Sequence, residues 1–397
     1  MPVSDPSQIN ILVVDDEVHQ REILQEILTM MGYKVAIRST AKECLNLLEE
    51  EIINLVITDL SMPEMNGIEF LTQIKRINPD IGVIVVTAHG TVENAVEAMK
   101  KGADDFMQKP IEFGVLELTV KKVLEKKFLI YENKKLSIEN QSLRRELGLK
   151  YHISNALGIS EASKKLNSLI ELYAKCTEPV LILGEAGSKE EDFARTIHYN
   201  SICAENPLLF FDCKSIPEDL QEIHLFGKFS LEKELSQPGL VEKAGQGTLV
   251  IENVALLNRK CQEKLVANLR NQKSQRIGSE NFYVSKIRLI ATSRQSEFES
   301  WVNARSDLYD LLKQDIIFIP TLRDRVEDIP LLTLALVKRF APIYNRKIDS
   351  IDKSLLDRLG SYRFPGNYKE LESMIEAAVT RCYEPILKTE HLSSPLR

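Results

Sequence analysis

Short apolar runs alternate with amphipathic stretches over the first third of the chain. Ile11 to Val14, Leu55 to Thr58 and Val83 to Thr87 are such runs. Each is followed by a segment with period near 3.6, as in Glu22 to Met31 and Asn94 to Lys100. Apolar runs of this length without polar alternation suit strands buried on both faces, and the helices between them supply the cover. The pattern from Ile9 to about Val123 therefore predicts a parallel sheet with helices on both faces.

Residues Phe113 to Leu149 read as one long, highly charged helix without proline. Leu116, Val120, Val123, Phe128, Tyr131, Leu136, Leu143 and Leu147 form its apolar stripe, broken by Glu132 to Lys135. Two readings stand: a helix lying on its own domain, or a dimerising linker helix. A second α/β unit is predicted from about Ser154 to Pro320. Its strands are expected at Val180 to Leu183, Leu208 to Asp212, Thr248 to Ile251, Lys286 to Ala291 and Ile316 to Ile319. From Leu322 onward the period is helical, with a turn at the FPGN of Phe364 to Asn367.

Composition narrows the class. The 397 residues suffice for two or three domains, and 44% hydrophobic with 27% charged residues is ordinary for a globular chain. The formal net charge of −7 argues against a dominant nucleic-acid surface. The six cysteines show no C-x-x-C pair and no zinc-like spacing with histidine, so they read as reduced thiols. No apolar run is long enough to cross a bilayer, and MPVSDPSQ lacks the features of a signal peptide. A cytoplasmic protein without a membrane partner is expected.

Candidate chemistry gathers at strand ends. Asp15 and Asp16 follow one run, Asp59 ends another, Thr87 ends a third, and Lys109-Pro110 follows a fourth. Carboxylates converging there would repel one another without a hard cation, and Mg²⁺ suits one or two carboxylates plus phosphate oxygens. Such a cation offsets charge on an incoming phosphoryl group and makes a carboxylate a workable nucleophile. Lys109 would pair with the product anion, and Thr87 would supply a hydroxyl.

The segments ILVVDDE, LVITDLSMPEMNGIEFL, VIVVTAHG and GADDFMQKP closely resemble the bacterial response-regulator receiver. The resemblance implies a flavodoxin-like doubly wound domain at residues 1–122. It implies phosphorylation of Asp59 by a histidine kinase, and Mg²⁺ held by Asp15, Asp16, Asp59 and the main-chain carbonyl of Ser61. It further implies that Thr87 and Phe106 act as switch residues and that Lys109 contacts the phosphoryl group. A linker helix is assigned to 123–152.

The stretch from 153 to the end resembles the AAA+ domain of sigma-54-dependent activators of the nitrogen-regulatory type. It is expected as an α/β part at 153–320 and a helical lid at 321–397. HLFG, GQGTLVIEN, IRLIATS, IPTLRDRVEDIPLL and FPGNYKELE carry the likeness. Several functional positions depart from the family pattern. A phosphate loop needs G-x-x-x-x-G-K-[ST], but after Gly184 and Gly187 this chain places Lys189 at the second glycine position and Glu190 at the lysine position. Where the family ends a strand in Asp-Glu stand Glu252 and Asn253, and Asn cannot act as a general base. KFSLEKELSQP fills the place of the GAFTGA loop that touches the sigma factor. Arg305 is kept, but the second family arginine is Leu311, and the sensor arginine is Lys369.

These losses lead us to expect no ATP hydrolysis and no bound ATP, with the AAA+ fold kept as a protein-interaction module that modulates transcription indirectly. Partners expected are a histidine kinase and a second copy or a homologous AAA+ regulator, with a dimer as the assembly. Nothing after Pro385 offers room for a helix-turn-helix pair, so direct DNA binding is not expected. Two alternatives are a sigma-54-dependent activator with residual ATP binding or hydrolysis, and a phosphate sink for a kinase.

Overall fold

The computed structural model describes residues 6–88, 92–151, 158–229, 237–302 and 306–392. The chain divides into two compact units, Met1–Asn140 and Gln141–Arg397.

The first unit runs β1 (Asn10–Val14), α1 (Val18–Met30), β2 (Lys34–Arg38), α2 (Ala41–Glu50), β3 (Leu55–Asp59), α3 (Gly67–Ile77), β4 (Gly82–Thr87), α4 (Val92–Lys100) and β5 (Asp105–Gln108), then enters α5 (Phe113–Lys150). Its strands are all parallel in the order β2-β1-β3-β4-β5. Alternate residues of each apolar run feed opposite layers. Leu12, Val14, Val56, Val83 and Val85 pack on one side with Phe70, Leu71 and Ile74 of α3. Ile11, Val13, Leu55, Ile57, Ile84 and Val86 pack on the other with Leu24 and Leu28 of α1 and Leu116 and Val120 of α5. Both faces are buried, which is why the runs carry no polar alternation. Helix starts are capped locally: Thr40 Oγ1 accepts from the Glu43 amide at 3.3 Å, and Asn66 Oδ1 from the Glu69 amide at 2.8 Å.

Helix α5 begins ten residues before the linker boundary at 123. Leu116, Thr119, Val120, Val123 and Leu124 are buried, so its first turns belong to the core of this unit. Beyond them Leu129, Leu136, Ile138 and Leu143 are exposed.

The second unit contains α6 (Glu161–Ala174), β6 (Val180–Gly184), α7 (Glu190–Tyr199), β7 (Leu208–Asp212), α8 (Glu218–Phe226), the short pair β8 (Gly227–Lys228) and β9 (Gln237–Pro238), α9 (Leu240–Ala244), β10 (Thr248–Glu252), α10 (Arg259–Asn271), the hairpin β11 (Lys273–Gln275) and β12 (Phe282–Val284), β13 (Arg288–Arg294), α11 (Gln295–Val302), α12 (Asp307–Leu312) and β14 (Ile316–Phe318). Five parallel strands lie in the order β14-β6-β13-β10-β7. The remaining elements, α13 (Ile329–Ile343), β15 (Ser350–Ile351), α14 (Lys353–Gly360), α15 (Asn367–Arg381) and β16 (Ile386–Leu387), form the lid. Leu332, Leu336, Phe340, Leu371, Ile375 and Ala378 make a core of its own. Two α/β sheets with their helices and a helical lid are thus present as expected. Residues 230–236 of the stretch that replaces GAFTGA, and Arg305, lie outside the described residues.

Candidate functional site

The carboxyl ends of β1 and β3 bring Asp15, Asp16 and Asp59 together, with one oxygen of each within 4.8 Å of the others. Among the described residues no other group of three or more histidine, cysteine or acidic side chains meets so closely. Asp15 and Asp59 are buried, whereas Asp16 is exposed. Lys109, just past β5, places its Nζ 2.7 Å from Asp15 Oδ2 and 2.7 Å from Asp59 Oδ2. Burial works to lower the Lys109 ammonium, but these two hydrogen bonds outweigh it and hold the group above the usual lysine value. The Glu17 amide donates to Asp15 Oδ1 at 2.9 Å, and the Ser61 amide to Asp59 Oδ1 at 3.3 Å. Gly67 closes the loop behind the site, since a Cβ there would stand 2.3 Å from the Asp59 carbonyl oxygen. Thr87 is buried at the end of β4, and Phe106, on β5, is 38% exposed. Oxygen donors with a fixed cation at one side fit a hard divalent ion such as Mg²⁺. The structure therefore brings Asp15, Asp16, Asp59, Thr87 and Lys109 to the same sheet edge, with Phe106 facing outward.

The second candidate lies between β6 and α7. Gly187 has φ +83° and approaches the lid so closely that a Cβ would sit 2.1 Å from the Gly366 carbonyl oxygen. Lys189 has φ 57° and ψ 54°, left-handed geometry that glycine adopts freely and lysine seldom does. The loop thus keeps a backbone made for glycine while carrying a long cation there. That cation turns to the lid, with Nζ 2.6 Å from Glu372 Oε2 and 5.0 Å from the Tyr368 ring centre. Glu190 folds back over Gly184, where a Cβ would meet Glu190 Oε1 at 2.6 Å. Burial raises the Glu190 carboxyl, against its own main-chain hydrogen bond and Arg294.

At the end of β10, burial and the charges of Glu191 and Asp212 raise the Glu252 carboxyl to about 7. Asn253, also left-handed at φ 53°, donates Nδ2–H to Asp212 Oδ1 at 2.7 Å. A cavity of about 320 Å³ is lined by Gly187, Glu190, Glu252, Asn253, Arg294 and Lys369, among others. A neighbouring cavity of about 430 Å³ is lined by Tyr151, Leu166, Phe193, Arg325, Tyr368 and other residues. The structure brings Gly184, Gly187, Lys189, Glu190, Glu252, Asn253 and Lys369 to one place.

A family model described as the response regulator receiver domain matches residues 11–121, one for the sigma-54 interaction domain matches 156–317, and one for the AAA+ ATPase lid domain matches 323–397. The transcriptional regulatory protein ZraR of Escherichia coli is 35% identical over 378 residues, covering 94% of this chain and 82% of that protein. The chain belongs to the response regulators that join a receiver to a sigma-54 interaction domain. Regulatory protein AtoC of Escherichia coli is 32% identical over 394 residues, covering 98% of this regulator and 84% of AtoC. Crystal structures of NtrX from Brucella abortus, in complex with ADP and with ATP, each superpose with a TM-score of 0.55 at 28% identity, covering 98% of this chain and 84% of NtrX. No helix among the described residues is long and apolar enough to cross a membrane.

Several residues of this response regulator that shape the second site were not legible as such. Arg323 forks onto Glu185 at 2.6 and 2.9 Å. Asn367, read only as a turn residue, donates Nδ2–H to the Ala186 carbonyl at 3.1 Å and accepts from the Leu322 amide at 3.0 Å. The Lys369 amide donates to the Gly187 carbonyl at 3.1 Å. The one signal in the sequence was Lys189 at the second glycine position, because a lysine there needs something to hold it.

Proposed function

We propose that this response regulator is phosphorylated on Asp59 by a histidine kinase and signals through protein contacts of a sigma-54-type AAA+ domain that does not hydrolyse ATP. Asp15, Asp16 and Asp59, with the Ser61 carbonyl, are the groups to hold Mg²⁺, which when bound supplies positive charge for the phosphoryl oxygens. An Asp59 carboxylate oxygen attacks phosphorus; the new O–P bond forms as the donor's N–P bond breaks. Lys109, already paired with Asp59, stays beside the product anion. Thr87 and Phe106 report the added charge on the outer face of β4 and β5.

The observation that carries the loss of hydrolysis is the Asn253–Asp212 hydrogen bond. The residue placed where a base would orient water spends its amide as a donor. Glu190 supports this reading, since a partly buried carboxyl at the lysine position offers a triphosphate no positive charge. Incubation of the full chain with acetyl phosphate and Mg²⁺ tests the receiver half of the proposal. One phosphoryl group should appear by intact mass and vanish in Asp59→Asn; retention of the label in that variant would overturn it.

A second reading is favoured by the NtrX complexes, which hold ADP and ATP in a fold of this kind. In it the 430 Å³ cavity still takes a nucleotide, which fixes the domain's shape without being turned over. Calorimetric titration of the full chain with ADP separates the two, because only the second yields a heat of binding.

A further inference from the structure

We infer that Lys189 and Glu372 form a latch that holds the lid on the phosphate loop without nucleotide. The inference deepens the reading of this domain as one not driven by ATP turnover. In a phosphate loop the second glycine exists so that main-chain amides can wrap an anion. Here the glycine geometry persists with a lysine in it, at φ 57° and ψ 54°, although a side chain strains that backbone. Strained residues of this kind survive when their surroundings over-determine them.

The restraint on Lys189 is its side chain. Its ammonium reaches the lid helix α15, 2.6 Å from Glu372 Oε2 and 5.0 Å from the centre of the Tyr368 ring. Glu372 is not an accidental surface acid. Its side chain is 14% exposed and its other oxygen accepts from Arg339 Nη2 of α13 at 2.6 Å. Burial works against its charge, but hydrogen bonds from Lys189 and Arg339 outweigh that and hold the carboxyl below the usual range. One carboxylate therefore ties the loop to two lid helices.

Position decides what the latch does. Lys189 and Asp192 line both the 430 Å³ and the 320 Å³ cavity. A ligand long enough to run from one to the other passes Lys189, and the loop and lid are already joined there. The main-chain clasp of Gly187 with Gly366 and Lys369 needs the loop to stay in this shape. The latch thus does for loop and lid what bound phosphates do in a loop that carries glycine and lysine at these positions.

Hydrogen exchange on the full chain tests this. Lys189→Met, which is one atom shorter and keeps the left-handed strain but removes the charge, should speed exchange of amides in 184–190 and 366–373 about five- to tenfold. Glu372→Gln should do the same, and the double variant should lose little more than either single one. Receiver amides should be unchanged throughout. Saturating ADP should leave the wild-type rates in these segments as they are. Unchanged exchange in both single variants would overturn the latch, and so would added protection of the wild type by ADP. Should Lys189→Met also expose the β6 amides, Lys189→Arg decides: kept protection supports the latch, and lost protection overturns it. ATP turnover in the wild type would overturn the reading beneath without touching the exchange result.

Discussion

Asn253 donates its side-chain amide to Asp212 across 2.7 Å, from a backbone held at φ 53°. The pair joins the ends of β10 and β7, which are neighbours in register, with Glu252 opposite Asp212. The Asp212 carboxyl sits in a partly buried place that works to raise it. Hydrogen bonds from Ser215, the Lys214 amide and Asn253 outweigh that and hold it below the usual range.

Changing Asn253 to Asp turns this donor into a second charge beside Asp212 and Glu252. The variant should lose about 1–3 kcal/mol of stability at pH 7. Protonation relieves the repulsion, so urea unfolding at pH 4.5 should show a smaller deficit than at pH 7. Equal deficits at both pH values would mean that lost packing, not charge, is responsible.

Lys109 is the counter-ion of the acidic cluster when no metal is bound. Lys109→Met leaves Asp15 and Asp59 buried with no cation, and should cost about 3 kcal/mol in chelator, as breaking a buried pair does. Millimolar Mg²⁺ should recover much of the loss, because the same oxygens then have a cation again. Thermal melts with and without Mg²⁺ read both effects.

Gly67 opens α3 directly behind Asp59. A methyl group at this position meets the Asp59 carbonyl oxygen at 2.3 Å and the Leu60 Cα at 2.8 Å, and neither backbone atom can yield cheaply. Gly67→Ala should cost about 1–3 kcal/mol and slow phosphoryl transfer to Asp59 by shifting its loop. The midpoint of urea unfolding and the rate of labelling by acetyl phosphate should change together.

Two groups of the second unit give opposed pH signatures. His198 is buried, with Nδ1 2.8 Å from Thr248 Oγ1, and burial followed by the charges of Arg288 and Arg144 lowers it to about 4. The unfolded state binds its proton first, so stability from His198 is present above the ordinary 6.5 and is lost as pH falls toward 4. Glu252 is raised to about 7, so the folded state keeps a proton that the unfolded state releases. Stability linked to Glu252 is therefore greatest below about 4.5 and declines as pH rises to about 7. His198→Asn should flatten the loss on acidification. Glu252→Gln should add about 1 kcal/mol at pH 8, after discounting for its partial exposure. Denaturant unfolding from pH 4 to 8 resolves the two slopes.

Much of the fold could be read from the chain because burial leaves a local pattern. Ile11 to Val14 and Val83 to Thr87 are apolar throughout since helices cover both sheet faces. The caps Thr40 and Asn66, each three residues ahead of an acid, went unread in the sequence. The acidic cluster was legible for a related reason: each carboxylate stands at the end of a recognisable strand. What could not be read is pairing over distance. Asn253 and Asp212 are 41 residues apart, and nothing local to Glu372 marks it as the partner of Lys189. The long helix was legible from its start at Phe113, but not which of its turns pack on the first unit, because Leu116 and Val120 fit a free stripe and a packed one equally well.

Steady-state ATP hydrolysis by the purified full chain, with the receiver carrying beryllofluoride and Mg²⁺, tests the central claim most directly. No turnover above that of a heat-denatured control is expected, at any protein concentration that supports assembly. Turnover that rises with protein concentration and disappears in Asp212→Ala would contradict it, and would show that a site built with Glu190 and Asn253 still works as an ATPase.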